Sequence, residues 1–348
     1  MERFAVERDE LKRAVKFASP GTTGGTSFFV TQHMFFTGKN LGTYNDRLLI
    51  YYPLRVPLRG SVDAKKFKTF IDRAVGENFV LSLVDGKLRI SCGKSRVTLT
   101  LQAPDPQWPV YAREDDTIAL SSQSAQPVPD DFIQGLNMCK TAIGKENSRD
   151  PWMSGIAVYD HKLVASDDYR LSCYQMHGPM DIGAAIPAAS VKAVTSGGAN
   201  PIRWLKRDGW LYLCYEDDSI LGTRLVDSVP DAGVLDRTFG VEGTVIQIPE
   251  DFEERLKISE ILSDELRRRK VVTIELSTSR LLCRSQIHGM GKVEAWCECD
   301  YTGEDVTFSL PPEQLLTIIK KVSTMKITAR MCIVSNESFQ QAIVLYSR

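Results

Sequence analysis

The feature that most constrains the fold is a pattern that occurs three times along the chain. Three stretches combine a cap or first-turn signal with apolar positions at i, i+3 and i+4, the spacing of an amphipathic helix. They are VDAKKFKTFI (62–71), IPAASVKAVT (186–195) and LPPEQLLTII (310–319). Their apolar positions Phe67, Val191 and Leu315 follow one another at intervals of 124 residues. Self-similarity at a fixed interval predicts repeated structural units.

Other landmarks recur at nearly the same interval, between 120 and 123 residues. An earlier helix is predicted to begin at RDEL (8–11), PDDF (129–132) and PEDF (249–252). Asp85-Gly86 and Asp208-Gly209 are hairpin signals 123 residues apart, and the third unit is predicted to turn near Ser335-Asn336-Glu337. The segment 45–48 (Asn-Asp-Arg-Leu) is aligned with the segment 168–171 (Asp-Tyr-Arg-Leu), again at an offset of 123.

The pattern predicts an α+β chain of three repeated domains, each with two helices packed on antiparallel sheets. The boundaries are placed at 1–115, 116–236 and 237–348, and the joins at 123–129 and 229–240 are rich in polar residues, Pro or Gly. A total of 348 residues with 43% hydrophobic residues is enough for three cores of this size.

Charge, cysteine content and the first residues argue against a strongly basic protein, a zinc protein and a secreted protein. Lys and Arg total 43 against 44 Asp and Glu, so the chain as a whole is not basic, although a local basic stripe remains compatible with binding to nucleic acid. The eight cysteines include no CxxC pair, and most lie in apolar runs, so we expect buried reduced thiols and no metal or cofactor. The first residues, MERFAVERDE, have no signal-peptide pattern, which predicts a cytoplasmic protein.

Along its whole length the chain resembles the bacterial DNA polymerase III beta sliding clamps, including phage-encoded versions. The resemblance is carried by VDAKKFKTFI followed by LRISCGKSRVTLTL (88–101), and by LVASDDYRLSCY (163–174), TRLVDSVPD (223–231) and ILSDE (261–265). It implies three equal domains per protomer and a head-to-tail homodimer that closes as a ring around duplex DNA. It also implies a processivity factor without catalytic residues. Simple geometry agrees, because six domains about 34 Å across enclose a hole wide enough for a duplex, whereas three do not.

The resemblance also implies a pocket that binds short linear motifs of the polymerase, the clamp loader and repair proteins. Its matching positions are Met153, Ser166, Asp168, Tyr169, Arg170, Leu171, Pro230, Leu235, Ile343, Val344, Leu345 and Tyr346. The chain departs from the family where Asp168 replaces the usual Gly and where the chain ends in the polar Ser347-Arg348, so the motif preference is open. A plainer interpretation of Arg170 is a surface arginine paired with Asp168.

In the resembled ring the helices line the central hole, where cations would contact phosphates without reading bases. The candidate DNA-binding residues are Arg13, Lys16, Lys65, Lys66, Arg73, Lys145, Arg149, Trp152, Lys320 and Lys321. Ile261 and Leu262 match positions at the interface between protomers. Ordinary solvated helix faces are the alternative interpretation, since Asp9, Asp72 and Glu313 share them.

Two other function classes remain open from sequence. Adjacent acids Asp167 and Asp168 at a strand end would suit a metal-dependent DNA enzyme, although neighbouring strand residues normally point to opposite faces. The second is a non-replicative scaffold with the same fold. Gly93-Lys94-Ser95 resembles the end of a phosphate-binding loop, but it links two predicted strands and is interpreted as a hairpin turn.

Overall fold

The computed structural model describes residues 3–22, 29–103, 125–266 and 269–346. The helices in these ranges are α1 (Arg8–Ala18), α2 (Ala64–Arg73), α3 (Phe132–Cys139), α4 (Ala188–Ser196), α5 (Val234–Phe239), α6 (Phe252–Ser259) and α7 (Pro312–Leu316). The predicted helix at 310–319 is therefore shorter than expected, because α7 ends at Leu316 and a single 3₁₀ turn follows at Ile319–Lys321.

The strands fall into three groups along the chain. The first group is β1 (Arg3–Glu7), β2 (His33–Thr37), β3 (Asn40–Tyr44), β4 (Leu48–Pro53), β5 (Arg59–Asp63), β6 (Asn78–Val84), β7 (Lys87–Cys92) and β8 (Ser95–Thr100). The second is β9 (Gln126–Pro127), β10 (Gly155–Tyr159), β11 (Lys162–Ser166), β12 (Arg170–Gln175), β13 (Ala184–Pro187), β14 (Arg203–Arg207), β15 (Trp210–Cys214) and β16 (Ile220–Arg224). The third is β17 (Thr244–Gln247), β18 (Asp264–Leu266), β19 (Arg269–Ser277), β20 (Arg280–Ile287), β21 (Gly291–Glu298), β22 (Val306–Leu310), β23 (Thr324–Ile327), β24 (Met331–Ser335) and β25 (Phe339–Val344).

The predicted repetition is visible in the order of these elements. Within the described residues each group runs strand, helix, four strands, helix, three strands; β18 in the third group and α5, between the second and third groups, are additional. The boundary predicted at residues 115 and 116 lies outside the described residues. By contacts the chain divides into two compact units, which we call the first unit (Met1–Ile133 and Ala189–Val226) and the second unit (Gln134–Ala188 and Asp227–Arg348).

The first unit contains two antiparallel sheets. One has the order β1-β6-β7-β8, and the other has eight strands in the order β5-β2-β3-β4-β16-β15-β14-β9. The larger sheet joins strands from two repeats through β4 and β16, whose register pairs Leu48 with Thr223 and Tyr51 with Ile220.

The helices of the first repeat follow the predicted pattern. The Asp63 carboxylate accepts a hydrogen bond of 2.8 Å from the Lys66 N–H, which caps α2 at its start. Leu11 and Val15 of α1 and Phe67 and Ile71 of α2 are fully buried in one core. Each contributes roughly 1.5–3 kcal/mol by leaving water, so these apolar stripes hold the helices on the sheets.

The second unit repeats this arrangement with other strands. Its eight-stranded sheet has the order β13-β10-β11-β12-β25-β24-β23-β17, and β12 and β25 form the junction between repeats. In its other sheet β22, β19, β20 and β21 lie side by side, with β18 also paired to β19. Leu315, Ile318 and Ile319 are buried as predicted.

The hairpin turns at Asp85-Gly86 and Asp208-Gly209 are confirmed, and all four residues have positive φ angles. The corresponding turn of the third repeat is at residues 328–330, between β23 and β24, and not near Asn336 as predicted. Asn336 makes the next turn, where its side chain accepts the N–H groups of Ser338 and Phe339. The sequence signal was missed because a threonine, Thr328, closes the earlier turn through its hydroxyl instead of an Asp-Gly pair.

All eight cysteines are free thiols and most are buried, as the sequence predicted. Burial raises the pKa of the Cys173 and Cys332 thiols to about 12. No group of three potential metal ligands occurs within the described residues. The helices described are all too short or too polar to cross a membrane.

Candidate functional site

The stretch from Ser166 to Leu171 forms a tight turn between β11 and β12. Asp167 organises it, because its Oδ1 accepts the backbone N–H groups of Tyr169 at 3.2 Å and Arg170 at 2.9 Å. Ser166 Oγ donates a bond of 2.7 Å to the Arg170 carbonyl. Asp168 has a φ angle of 69°, in the left-handed region that Asp tolerates better than most residues, which explains how this chain manages without the usual Gly.

The adjacent acids Asp167 and Asp168 have different roles in this turn. Asp167 Oδ2 binds the Arg170 guanidinium at 2.7 and 3.1 Å, with both side chains largely buried, whereas Asp168 is exposed. The predicted pairing of Arg170 with Asp168 is therefore wrong by one residue. Since both Asp167 oxygens are already bound within the turn, it is poorly placed to hold a metal ion, and the DNA-enzyme alternative loses its main support.

The same turn in the first repeat corrects the alignment of the two segments. Asn45 Oδ1 accepts the N–H groups of Arg47 and Leu48, and Asp46 has a φ angle of 63°. Asn45 therefore corresponds to Asp167 at an offset of 122, and not to Asp168 at 123. Composition alone could not separate these alignments, because both place an acid inside the turn.

The terminal strand lies directly beside this turn. The Val344 N–H donates to the Tyr169 carbonyl at 2.9 Å, and Arg170 and Leu171 pair with Ile343 and Ala342. Tyr169 and Val344 are each 41% exposed, so two apolar side chains face solvent at this corner. The sequence brought these segments together only through the resemblance; the pairing itself joins residues about 170 positions apart.

A cavity of about 1050 Å³ opens next to the terminal strand. We call it the C-terminal cavity; its lining is Glu242, Gly243, Thr244, Val306, Thr307, Phe308, Ser309, Ile327, Thr328, Ala329, Arg330, Val344, Leu345 and Tyr346. The last three are predicted pocket residues. The others were missed, because the β22 segment and the turn before β24 carry no motif that marks them.

The remaining predicted pocket residues lie elsewhere or are covered. Leu235 lines a separate cavity of about 260 Å³ with Lys162, Cys173 and Phe239 among its walls. Five others are buried and offer little surface to a ligand: Met153, Ser166, Leu171, Pro230 and Ile343. Arg170 is largely covered in its pair with Asp167, whereas Asp168 is exposed, so the accessible part of the predicted pocket is Asp168 and Tyr169 together with the C-terminal cavity.

The predicted cations of the first unit lie on exposed helix faces. Arg13 and Lys16 of α1, and Lys65, Lys66 and Arg73 of α2, are exposed. Asp72, which shares the face of α2, forms an ion pair with Lys68. Of the three acids that favoured an ordinary solvated face, Asp72 is thus already paired with a residue outside the predicted set.

In the second unit the predicted cations differ in whether they have an acidic partner. Lys145, Arg149 and Lys321 are exposed, whereas Lys320 pairs with Glu253 at 3.3 Å. Trp152 is only 6% exposed, so its ring has almost no face on which a base could stack. We therefore leave Trp152 out of the proposed DNA contacts.

Among the strands that end a sheet without a partner on one side in the described part of the chain, two bear on the predicted interface. They are β8 in the first unit and β21 in the second. Beside β21, large apolar side chains are exposed: Ile261 at 73%, Met290 at 74% and Trp296 at 52%. Leu262, the second predicted interface residue, is half-buried in the same 3₁₀ turn as Ile261. An unpaired edge with exposed apolar neighbours is a typical site of strand pairing with another chain.

Comparison with solved structures identifies the fold. A DNA polymerase sliding clamp from Bacillus subtilis matches with a TM-score of 0.84 at 15% identity, over 99% of each chain. A DNA polymerase III beta subunit from Thermotoga maritima gives 0.84 at 16% over 99% of each, and a beta chain from Streptococcus pneumoniae gives 0.83 at 17% over 100% of each. No protein-family model matches the sequence, and no curated protein does so. The chain has the three-repeat sliding-clamp fold over its whole length.

Proposed function

We propose that this protein is a DNA sliding clamp, a non-enzymatic processivity factor that encircles duplex DNA and tethers a polymerase and other partners. The observation that carries the proposal is the similarity to sliding clamps over essentially the whole of both chains. Neither chain of each pair has a large extra domain left over, so the likeness concerns the complete clamp architecture and not one repeat of it. A cytoplasmic location would follow from this role.

The sheets support a head-to-tail dimer. At the junctions between repeats, β4 pairs with β16 and β12 pairs with β25. β4 and β12 are each the third of the four strands that follow the first helix of a repeat. Their partners, β16 and β25, are each the last strand of the next repeat. By position, β21 is the third-repeat equivalent of β4 and β12, and β8 is the first-repeat equivalent of β16 and β25. We infer that β21 of one protomer pairs antiparallel with β8 of its partner, which would complete the third junction of the series.

The charges and apolar residues along these edges suit that pairing. Arg96 is exposed on β8 and Glu298 is exposed on β21, whereas Glu294 of β21 is already paired with Arg284 and Lys292. Opposite charges on adjacent strands favour one partner and one orientation. The exposed apolar surface of Ile261 and Met290 would be buried in the same interface.

DNA binding would be electrostatic and independent of sequence. Exposed cations on α1 and α2, with Lys145, Arg149 and Lys321 in the second unit, would contact phosphates only. Because such contacts carry no base readout, the bound protein could move along the duplex. Tyr169 and the C-terminal cavity would dock short peptide motifs of partner proteins, the usual form of an apolar site for an extended peptide.

The decisive experiment is topological. Purified protein is incubated at high concentration with linear plasmid so that rings can thread over the ends, half of the DNA is then circularised with ligase, and each sample is separated from free protein by gel filtration. A closed ring should stay on the circle and slide off the linear DNA, whereas a conventional DNA-binding protein should remain on both. Equal retention on circular and linear DNA would refute the proposal. A variant with Ile261→Glu and Leu262→Glu serves as the control that cannot close.

A further inference from the structure

The C-terminal cavity combines apolar walls with two charges of opposite sign. Phe308, Ile327 and Val344 supply apolar surface, while the exposed Glu242 and Arg330 lie at its rim. Binding of one apolar side chain of a peptide would use the apolar walls of the cavity but would leave its two charges without a role. The charges can instead discriminate between peptides that carry the same anchor.

Arg330 has no ionic partner within the described residues, in contrast to three other arginines of the second unit. Arg170 binds Asp167, Arg237 binds Asp231 and Arg284 binds Glu275, each at 2.7 Å. Within the residues that the structure describes, no carboxylate lies within 4.0 Å of the Arg330 guanidinium, and no cation lies that close to Glu242. Both charges are thus available to a ligand.

The backbone of Arg330 is held firmly at the wall of the cavity. Its N–H donates to Thr328 Oγ1 at 3.2 Å, and its carbonyl accepts the Leu345 N–H at 2.8 Å. The first bond closes the turn between β23 and β24, and the second ties that turn to the terminal segment that lines the cavity. The Arg330 backbone therefore has a fixed place beside the apolar wall, from which the exposed guanidinium can reach a bound ligand.

We propose that this cavity selects partner peptides by charge, with Arg330 binding a carboxylate of the residue next to the peptide's apolar anchor. The inference rests on the proposed docking of partner peptides and specifies which of them this chain prefers. A planar guanidinium can bind a carboxylate through two parallel hydrogen bonds, and partial burial beside the anchor strengthens the pair relative to an open surface.

Glu242 has the opposite effect on the same ligand. The β17–β23 register pairs Thr244 with Ile327, so continuing the register brings Glu242 alongside the turn that carries Arg330. A carboxylate there reduces the local positive potential and repels an acidic peptide. Removing this charge should therefore tighten the binding of acidic peptides, whereas removing Arg330 should weaken it.

The test uses three synthetic peptides with the same Leu and Phe anchors that differ only in the residue before the Phe, which is Asp, Asn or Lys. Each is titrated by calorimetry against the wild type, Arg330→Gln, Arg330→Glu, Glu242→Gln and the control Arg237→Gln, which alters a paired arginine outside the cavity. We expect the wild type to bind Asp about three to ten times more tightly than Asn, and Lys most weakly. Arg330→Glu should reverse this order, Glu242→Gln should enlarge the preference for Asp, and Arg237→Gln should leave it unchanged.

The outcomes separate the two levels of the argument. Equal binding of the three peptides to the wild type, or a folded Arg330→Glu protein that keeps the original order, overturns the charge selection while peptide docking stands. Failure of the wild type to bind any of the three overturns the docking and the selection together. A preference for Asp that is equally strong in about 300 mM salt would also contradict the inference, because a pair at a cavity rim is screened.

Discussion

Asp167 binds Arg170 through two kinds of contact at once, its Oδ2 with the guanidinium at 2.7 Å and its Oδ1 with the backbone N–H at 2.9 Å. A single carboxylate thereby fixes both the turn and the side chain that follows it. The neighbouring Asp168 contributes only a backbone conformation. This division of roles gives the two acids opposite mutational behaviour.

We expect Asp167→Ala to lower the free energy of unfolding by about 1.5–3 kcal/mol, because it removes bonds to a charged group in a largely buried turn. Asp167→Asn should cost less, since an amide oxygen can still accept the backbone N–H groups. The matched control Asp168→Asn should be nearly neutral, because Asn also tolerates the left-handed conformation. Urea unfolding followed by circular dichroism measures all three. A larger destabilisation by Asp168→Asn than by Asp167→Ala would contradict the assignment, and DNA hydrolysis should be absent throughout.

Replacing Ile261 and Leu262 by Glu should convert a dimer into a monomer. Association of the variant would bury two unpaired carboxylates at each interface. The free-energy cost of burying these charges exceeds the free energy gained from burying the original apolar side chains. Light scattering coupled to gel filtration at micromolar concentration measures the mass, and a circular dichroism spectrum checks the fold. A wild-type protein that is already monomeric under these conditions would refute the head-to-tail dimer.

Neutralising Arg13, Lys65 and Arg73 to Gln should flatten the dependence of duplex affinity on salt. The slope of log K against log salt should fall by roughly 0.9 for each phosphate that the variant no longer neutralises. Three exposed cations that already have acidic partners, Arg207, Arg237 and Lys292, provide the matched control triple. The result is measured by fluorescence anisotropy on short duplexes of unrelated sequence. Equal slopes for the two triples, or a strong preference for one sequence, would count against the proposed lining.

Val344→Glu should abolish binding of a peptide with Gln followed by Leu and Phe anchors. Val344 is 41% exposed and its N–H bonds to the backbone of the 167–169 turn, so the new charge meets the ligand while the fold is spared. Leu171→Glu is a poorer test because Leu171 is 9% exposed, and truncation after Ala342 removes the buried Ile343. Burial of two peptide anchors gives an affinity of only about micromolar, because ordering the peptide costs free energy. Calorimetry can measure binding in this range. Undiminished binding by folded Val344→Glu protein would place the site elsewhere.

The sequence by itself determined the local elements and their threefold order. Phe67, Val191 and Leu315 are buried on helices or helical turns because periodic apolar residues need only the neighbouring turn to define a face. Asp85-Gly86 and Asp208-Gly209 turn the chain because their positive φ angles are a property of those residues. These signals act over a few positions, and so they can be recognised without knowing what packs against them.

Only the tertiary structure decided which strands meet and which side chains share a surface. The pairing of Arg170 with Ile343 and of Thr223 with Leu48 joins distant segments through backbone bonds that any residues could make. The turn at Asp167 illustrates this, because the two acids are adjacent in sequence and differ in structure. Asp167 forms a largely buried ion pair, whereas Asp168 is exposed to solvent. Arg330 and Glu242 reach one cavity because β17 lies beside β23, and strand neighbours of this kind follow from the fold of the whole chain and not from any short stretch of it.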